Sequence, residues 1–297
     1  MGDKATTPVI LGGGRTPIGR FLGGLSSLAA PELGGVAIRA AIERSGIAPE
    51  SVDEVIMGNV VVAGEGQAPA RQAAISGGVP ETVPAVTVNK VCGSGLKAVM
   101  LAAQAVRAGD AHVVVAGGME SMSNVPHYAR GLRSGVKLGD QTLQDGLVLD
   151  GLWCTFGNCH MGGHAEYTAA KAGISRTDAD EFALRSHRLA IAAMDGCKFQ
   201  KEVVPVSIET RRGTTVVDSD ECPRRDTSLE ALGKLRPAFG GDAPDDIEEL
   251  VVTAGNAPGL NDGAAAVVVA SLEFAEAQGI PVRAEISAYA AAGAAPQ

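Results

Sequence analysis

The first third of the chain alternates short apolar runs with helix-period segments, and this alternation limits the fold more than any other feature. Pro31 to Arg44 reads as a helix, with proline in its first turn and Gly46 beyond its end. Val55 to Asn59 reads as a strand, and Gln67 to Ser76 as a second helix stopped by Gly77-Gly78. Ala85 to Asn89 is a strand that feeds directly into Cys92 to Ala108. There Leu96, Val99, Met100, Ala103 and Val106 recur at helical spacing, and Gly109 ends the run. His112 to Gly117 is again strand-like. Strand–helix–strand units of this kind imply crossover connections and a parallel or mixed sheet, so the fold class is α/β.

After Gly118 the pattern lapses. From Glu120 to about Asp245 charge and turn residues dominate, with one clear helix expected at Asp178 to Asp195 between Thr177 and Gly196. This stretch reads as an inserted domain. The earlier pattern resumes with Val251-Val252-Thr253, the strand Ala264 to Ala270, a short helix Ser271 to Gln278 and a strand from Ala284 to Ala291. The expected domains are 1–119 with 249–279, an insertion at 120–248, and 280–297 as the start of a further unit. Of 297 residues, 45% are hydrophobic but only 3% aromatic, and 39 are glycine. A core of Ala, Val, Ile and Leu around glycine turns suits a layered α/β protein. A net charge of −9 gives no reason to expect nucleic acid. Met1 to Thr7 lacks the basic and apolar regions of a secretory signal. Met1-Gly2-Asp3-Lys4-Ala5-Thr6 fits a loose lipidation pattern that short sequences often match by chance. Apolar runs are strand-sized, so a cytoplasmic protein without a membrane span is expected.

Val88-Asn89-Lys90-Val91-Cys92-Gly93-Ser94-Gly95 carries the chemistry. A cysteine between a strand end and a helix start faces unsatisfied backbone N–H groups and the positive end of the helix dipole. Both favour a thiolate, the form a cysteine nucleophile needs. Gly93 and Gly95 remove side chains where a substrate would approach the sulfur. A small buried hydrophobe at a tight turn fits the same spacing, and spacing alone leaves both readings open.

The segment V-N-K-V-C-G-S-G-L-K-A resembles the active-site segment of the thiolase family. Further matches follow in the family's order: Arg15 to Phe21, Ala116 to Ser123, His160-Met161-Gly162, Lys234 to Phe239 and Gly255 to Gly263. The resemblance implies a thiolase fold: a layered αβα N-terminal domain interrupted by a loop domain, with the second half of the fold largely absent from these residues. It implies Cys92 as the acylated nucleophile. It also implies an acyl and pantetheine pocket at Leu152, His160 and Met161, with Phe239, Ala254, Ala257 and Leu260 along the pantetheine arm and Arg224 near the nucleotide end of CoA. CoA and acyl-CoA are then substrates, with no separate cofactor. Pro258 stands where the family often has serine, losing a hydroxyl and an N–H donor at the CoA arm. Gly12-Gly13-Gly14 likewise stands where small side chains are usual.

The segment around His127 and Gly135 to Asp140 resembles the family's tetramerisation loop, here residues 124–140, and leans toward short-chain acetoacetyl-CoA thiolases and a homo-oligomer. The family's C-x-G-G-G cysteine, which acts as base, its G-H-P histidine and its N-E-A-F segment do not occur in these residues. A second polypeptide or self-association is therefore expected to complete the fold, unless the chain is a shortened product. The readings that follow are a thiolase completed by a second chain, a catalytically incomplete CoA-binding or assembly subunit, and a hydrolase using Cys92 alone. Cys154, Cys159, His160 and His164 lie within eleven residues, but their spacing is not that of a zinc module, and no metal is expected. His112 and His187 read as structural or exposed.

Overall fold

The computed structural model describes residues 3–211 and 213–296. Met1-Gly2 of the lipidation pattern lies outside them. In chain order the first elements are β1 (Pro8–Arg15), β2 (Gly19–Arg20), α1 (Ala30–Ser45), β3 (Glu54–Gly58), α2 (Pro69–Ser76), β4 (Ala85–Val88), α3 (Ser94–Ala108) and β5 (Val113–Ser121). Next come β6 (His127–Tyr128), β7 (Gln144–Asp145), β8 (Trp153–Cys154), β9 (Cys159–His160), α4 (Met161–Ala172) and α5 (Arg176–Asp195). The chain continues with β10 (Val206–Thr210), β11 (Gly213–Val217), α6 (Leu229–Gly233), β12 (Asn261–Ser271), α7 (Leu272–Ala277) and β13 (Ala284–Glu285).

These elements form two compact units. The first comprises Met1–Val125, Gln200–Glu221 and Asn261–Ala291; the second comprises Pro126–Phe199, Cys222–Leu260 and Ala292–Gln297. This division departs from the expected boundaries at 120–125, 200–221, 249–260 and 280–297, and two of these departures have a clear physical reason. Val206 and Ile208 of β10 are buried in the core of the first unit, which draws in Gln200–Glu221. The segment 249–260 is held in the second unit by Glu166, whose carboxylate accepts the N–H groups of Val251 and Val252 at 2.8 and 2.9 Å.

The first unit is built on one mixed sheet in the order β13-β1-β12-β5-β3-β4, with β2 beside β12. β3 is parallel to both β4 and β5, whereas β12 is antiparallel to β5 and β1. Alternation along the strands sorts the side chains to two faces. Val55, Met57, Val113 and Val115 join Leu33, Ile38, Ala41 and Ala73 from α1 and α2. Ile56, Val114, Ala116 and Val269 join Ala98, Ala102 and Val106 from α3. The mixed sheet is what the strand–helix alternation predicts, and the αβα layering is what the family resemblance implies.

Some local expectations are corrected. β1 contains Gly12-Gly13-Gly14, and a Cβ on Gly13 would lie 2.9 Å from the carbonyl oxygen of Ala266 on the neighbouring strand. Val251-Val252-Thr253 is not a strand; Thr253 makes only an isolated bridge with Pro237. The last strand is two residues long, not eight. Helix α5 starts at Arg176 because Ser175, not Thr177, caps it, and Ser175 and Asp178 exchange capping hydrogen bonds. α4 was not expected at all.

The approach of α3 to the sheet leaves no room for a side chain at one position of β3. A Cβ on Gly58 would lie 2.5 Å from both the backbone nitrogen of Gly95 and the carbonyl carbon of Ser94. Gly58→Ala is therefore expected to push the first turn of α3 off β3 and cost about 2 kcal/mol or more, the scale of core overpacking, read as a lowered midpoint in thermal or denaturant unfolding.

Candidate active site

β4 ends at Val88 and α3 begins at Ser94, so only five residues connect them. Asn89 shapes the connection from both ends of its amide. Its Oδ1 accepts the N–H of Val91 at 2.9 Å, and its Nδ2 donates to the carbonyl of Val60 at 3.0 Å. Ser94 Oγ accepts the N–H of Lys90 at 2.8 Å and donates to the carbonyl of Val91. Between these clamps Val91 takes the left-handed conformation, φ 47°, which a β-branched residue adopts only when its surroundings enforce it. The next residue is Cys92. Its thiol is exposed, so the reading of Cys92 as a buried small hydrophobe is excluded within this unit.

The mouth of α3 is electrostatically open. Gly93 is the N-cap and contributes no side-chain hydrogen bond, and no acidic residue lies in the first turn. The dipole and free N–H groups of the helix start are thus left to favour negative charge beside Cys92. His112, at the start of β5, lies at the opposite end of the parallel strands from Cys92.

Beneath the loop lies a pair of carboxylates that sequence reasoning missed. Glu120 accepts the N–H of Val60 at 2.8 Å, that of Val61 at 3.2 Å, and Asn59 Nδ2 at 3.1 Å. Through Val60 this network reaches Asn89 and the Cys92 loop. Burial pushes the Glu120 carboxyl above its ordinary range, and its three donors oppose that rise. Glu65 beside it is pushed up to about 7, first by burial and then by the charge of Glu120. Asn59 Oδ1 and Glu65 Oε2 are buried and have no partner among the described residues.

The nine residues expected to line the CoA pocket all belong to the second unit. His160 ends β9 and caps α4, with Nδ1 accepting the N–H of Gly162 at 3.0 Å. Its ring stacks on Phe239 at 4.7 Å between centroids and 20° between planes. Gly162 is required there, because a Cβ would lie 2.1 Å from the Phe239 ring. Met161 is partly exposed, and Leu152 closes a single π-turn, Val148–Leu152. Ala254, Ala257, Pro258 and Leu260 lie on one loop. That loop is pinned by Glu166, fully buried, and by Asn256, which bonds Asp180 Oδ1 at 2.9 Å and the Val251 carbonyl at 2.8 Å. Arg224 is exposed, and its backbone N–H donates to His187 Nδ1 at 3.2 Å. His187 is held below its ordinary range by burial and by the Arg224 charge. Among the described residues no group of three or more His, Cys, Asp or Glu is arranged to hold a metal ion.

A family model described as "Thiolase, N-terminal domain" matches residues 8–273. The chain belongs to the thiolase family. It is 50% identical to the acetyl-CoA acetyltransferase of Pseudomonas aeruginosa over 289 residues, 97% of this chain and 72% of that protein. It is 51% identical to the acetyl-CoA acetyltransferase of Cupriavidus necator over 98% of this chain and 73% of that one. The Yarrowia lipolytica acetyl-CoA acetyltransferase is 48% identical over 97% and 70%. The layered sheet described above is thus the thiolase fold, and no described helix is long and apolar enough to cross a membrane.

Within this thiolase chain the clearest missed signal is Glu166. With Gly162, Gly163 and Ala169 it occupies the buried face of α4 at helical spacing. Replacing it with leucine leaves the Val251 and Val252 N–H groups buried and unpaired. Glu166→Leu is expected to lose about 2–4 kcal/mol of stability, measured by denaturant unfolding. The raised Glu65 carboxyl has the opposite consequence for pH. The folded chain keeps a proton that the unfolded chain releases near 4.5, so stability falls as pH rises from about 4.5 to about 7. Glu65→Gln is expected to flatten that slope and gain about 1 kcal/mol at pH 8, discounted for partial exposure, in melts run between pH 5 and 8.

Proposed function

We propose that this chain carries the acylation chemistry of an acetyl-CoA C-acetyltransferase, with Cys92 as the nucleophile. The observation that carries the reading is the exposed thiol of Cys92 at the uncapped mouth of α3, in a loop pre-shaped by Asn89 and Ser94. The names and extent of the relatives support the same reading. In the forward step the Cys92 sulfur attacks the thioester carbonyl. The carbonyl oxygen takes the negative charge, and collapse of the adduct expels CoA, which leaves as the thiol with the proton lost from Cys92. Transfer of the acetyl group back to CoA reverses the step. For condensation the α-carbon of a second acetyl-CoA loses a proton to a base and attacks the acetyl carbonyl on Cys92; the C–S bond breaks, acetoacetyl-CoA leaves and the Cys92 sulfur recovers a proton, and thiolysis is the reverse.

In this reading the second unit acts as the loop domain that holds CoA. His160, Met161 and Leu152 face the acyl and pantetheine portion. Phe239, Ala254, Ala257, Pro258 and Leu260 line the arm, and Arg224 meets the nucleotide end. His160 suits that role because its Nδ1 is occupied as an acceptor, which leaves Nε2–H to donate. Leu132, Leu138 and Leu143 expose large apolar side chains around the β6–β7 hairpin, which supports self-association of this segment into a homo-oligomer. The domain roles follow: the first unit bears the nucleophile and the second the substrate.

The test is to incubate the purified chain with acetyl-CoA and map the product by intact mass and peptide sequencing. The expected result is one acetyl adduct on Cys92, discharged by free CoA and absent in Cys92→Ala. Binding of CoA without an adduct would make the chain a CoA-binding subunit and overturn the acylation claim. Asn89→Ala, which releases Val91, is expected to slow adduct formation by about a hundredfold, the penalty for misplacing a nucleophile, with CoA affinity unchanged.

A further inference from the structure

Two cysteines and a histidine with no part in the acylation chemistry converge on one turn of the second unit. Cys154 and Cys159 stand directly opposite each other across the antiparallel β8–β9 pair, joined by Thr155 to Asn158. Residues paired in this way project to the same side with Cβ atoms about 4.5–5.5 Å apart, a small adjustment from disulfide geometry. The glycine of the turn reports how close the groups lie. Gly157 N–H donates to Cys154 Sγ at 3.2 Å, while a Cβ on Gly157 would lie 3.2 Å from Cys159 Sγ and 2.9 Å from the His164 imidazole. Both sulfurs and the imidazole therefore surround one residue without a side chain.

Access and proton transfer are also provided. Cys159 and His164 line a cavity of about 490 Å³ together with Tyr167 and Asp242. Cys159 Sγ lies 3.6 Å from His164 Nε2, near enough for proton exchange after a small closure. Cys154 is buried behind it, and both residues carry free thiols. Burial pushes the Cys159 thiol up, so reaction at this sulfur calls for a local proton acceptor.

We propose that Cys154 and Cys159 form a reversible dithiol–disulfide site oxidised by a peroxide, with Cys159 attacking, His164 accepting its proton and Cys154 resolving. His164 Nε2, unprotonated in the Nδ1–H tautomer, takes the proton of Cys159. The sulfur attacks one peroxide oxygen and the O–O bond breaks. The departing hydroxide takes the proton from the imidazolium and leaves as water, with a sulfenic acid on Cys159. Cys154 sulfur then attacks the Cys159 sulfur, the S–O bond breaks, and hydroxide leaves with the Cys154 proton as a second water. Two thiols and one hydrogen peroxide become one disulfide and two waters. The loop closed is short, so little chain entropy is removed and an added dithiol reopens the bond readily. The site stands apart from the acylation reading, since it needs neither Cys92 nor CoA.

The experiment uses the full chain, hydrogen peroxide at neutral pH, alkylation under denaturing conditions and tryptic mapping. Peptide Leu138–Lys171 contains Cys154, Cys159 and no other cysteine. The expected product is this peptide unalkylated and two hydrogens lighter, restored to double alkylation by dithiothreitol. Cys154→Ser is expected to stop at a Cys159 sulfenic acid trapped by dimedone. His164→Ala is expected to slow disulfide formation at least about tenfold, with its melting temperature recorded to separate chemistry from unfolding. Wild-type peptide that stays fully alkylatable while Cys92 oxidises, or that gains oxygen on Cys159 without a disulfide, overturns the proposal. An unchanged rate in folded His164→Ala removes His164 from it.

Discussion

Everything at the candidate site depends on how closely the backbone of α3 lies against the sheet. Gly58 on β3 faces Ser94 and Gly95 with no space for a Cβ, and a Cβ on Gly118 of β5 would sit 3.2 Å from the Cα of Gly95. Contact at that range fixes the first turn of the helix directly over the carboxyl ends of the parallel strands, where α/β sheets bind their ligands. The connection from β4 must then be short, and a short connection cannot keep every residue in a favoured conformation. Val91 takes the strained one, at a cost of about 1–3 kcal/mol. Three hydrogen bonds from Asn89 and Ser94 to the backbone of Lys90 and Val91 offset it. The strain thus positions Cys92: the loop has one arrangement, and the thiol is left outside it, exposed.

Carboxylates used as backbone acceptors are the second organising device. Glu120 gathers the N–H groups of Val60 and Val61, Glu166 those of Val251 and Val252, and Asp53 those of His112 and Val113. Asp262, fully buried, accepts from the backbone and hydroxyl of Ser123, and Asp220 from Ile18 and the guanidinium of Arg15. Charged acceptors contribute about 1.5–3 kcal/mol per bond, more than neutral ones, provided that burial is repaid by several donors. Part of the chain's acidic excess is therefore structural. Glu65 is the exception that shows the rule: one Asn59 contact at 3.5 Å does not compensate burial beside Glu120, and its proton is held instead.

The layered fold was legible because strands β3, β4 and β5 and helices α1 to α3 each declare their period, and each of the three helices stops at a glycine, Gly46, Gly77 and Gly109. The Cys92 segment was legible from its glycines and its place between a strand and a helix. Three things were hidden. β1 carries three consecutive glycines, which weaken any strand signal, and it forms because those glycines let β12 and α1 approach. α4 opens with Gly162-Gly163, poor helix formers, and exists because Phe239 and Asp242 occupy the space side chains would fill. The Glu120 and Glu166 anchors were invisible because a carboxylate on an apolar face looks like a break in the pattern until its backbone donors, up to 86 residues away in sequence, are in place.

His160 and His164 show how one helix start assigns opposite roles to like residues. A helix leaves its first N–H groups unsatisfied, and His160 at the cap meets this need with Nδ1, accepting from Gly162. That bond occupies Nδ1 as an acceptor and leaves Nε2 to donate, while the Phe239 stack and the Asp242 contact to its backbone hold the ring in place. His164 lies within the first turn, where its backbone needs are met by the helix, so its ring is free to turn toward Cys159, with Nε2 3.6 Å from the sulfur. Exchanging the two tautomers would break the cap at one residue and leave the thiol without a proton acceptor at the other. The first turn of α4 therefore presents a hydrogen-bond donor to one side and a base to the other, and the backbone of a single helix terminus decides which is which.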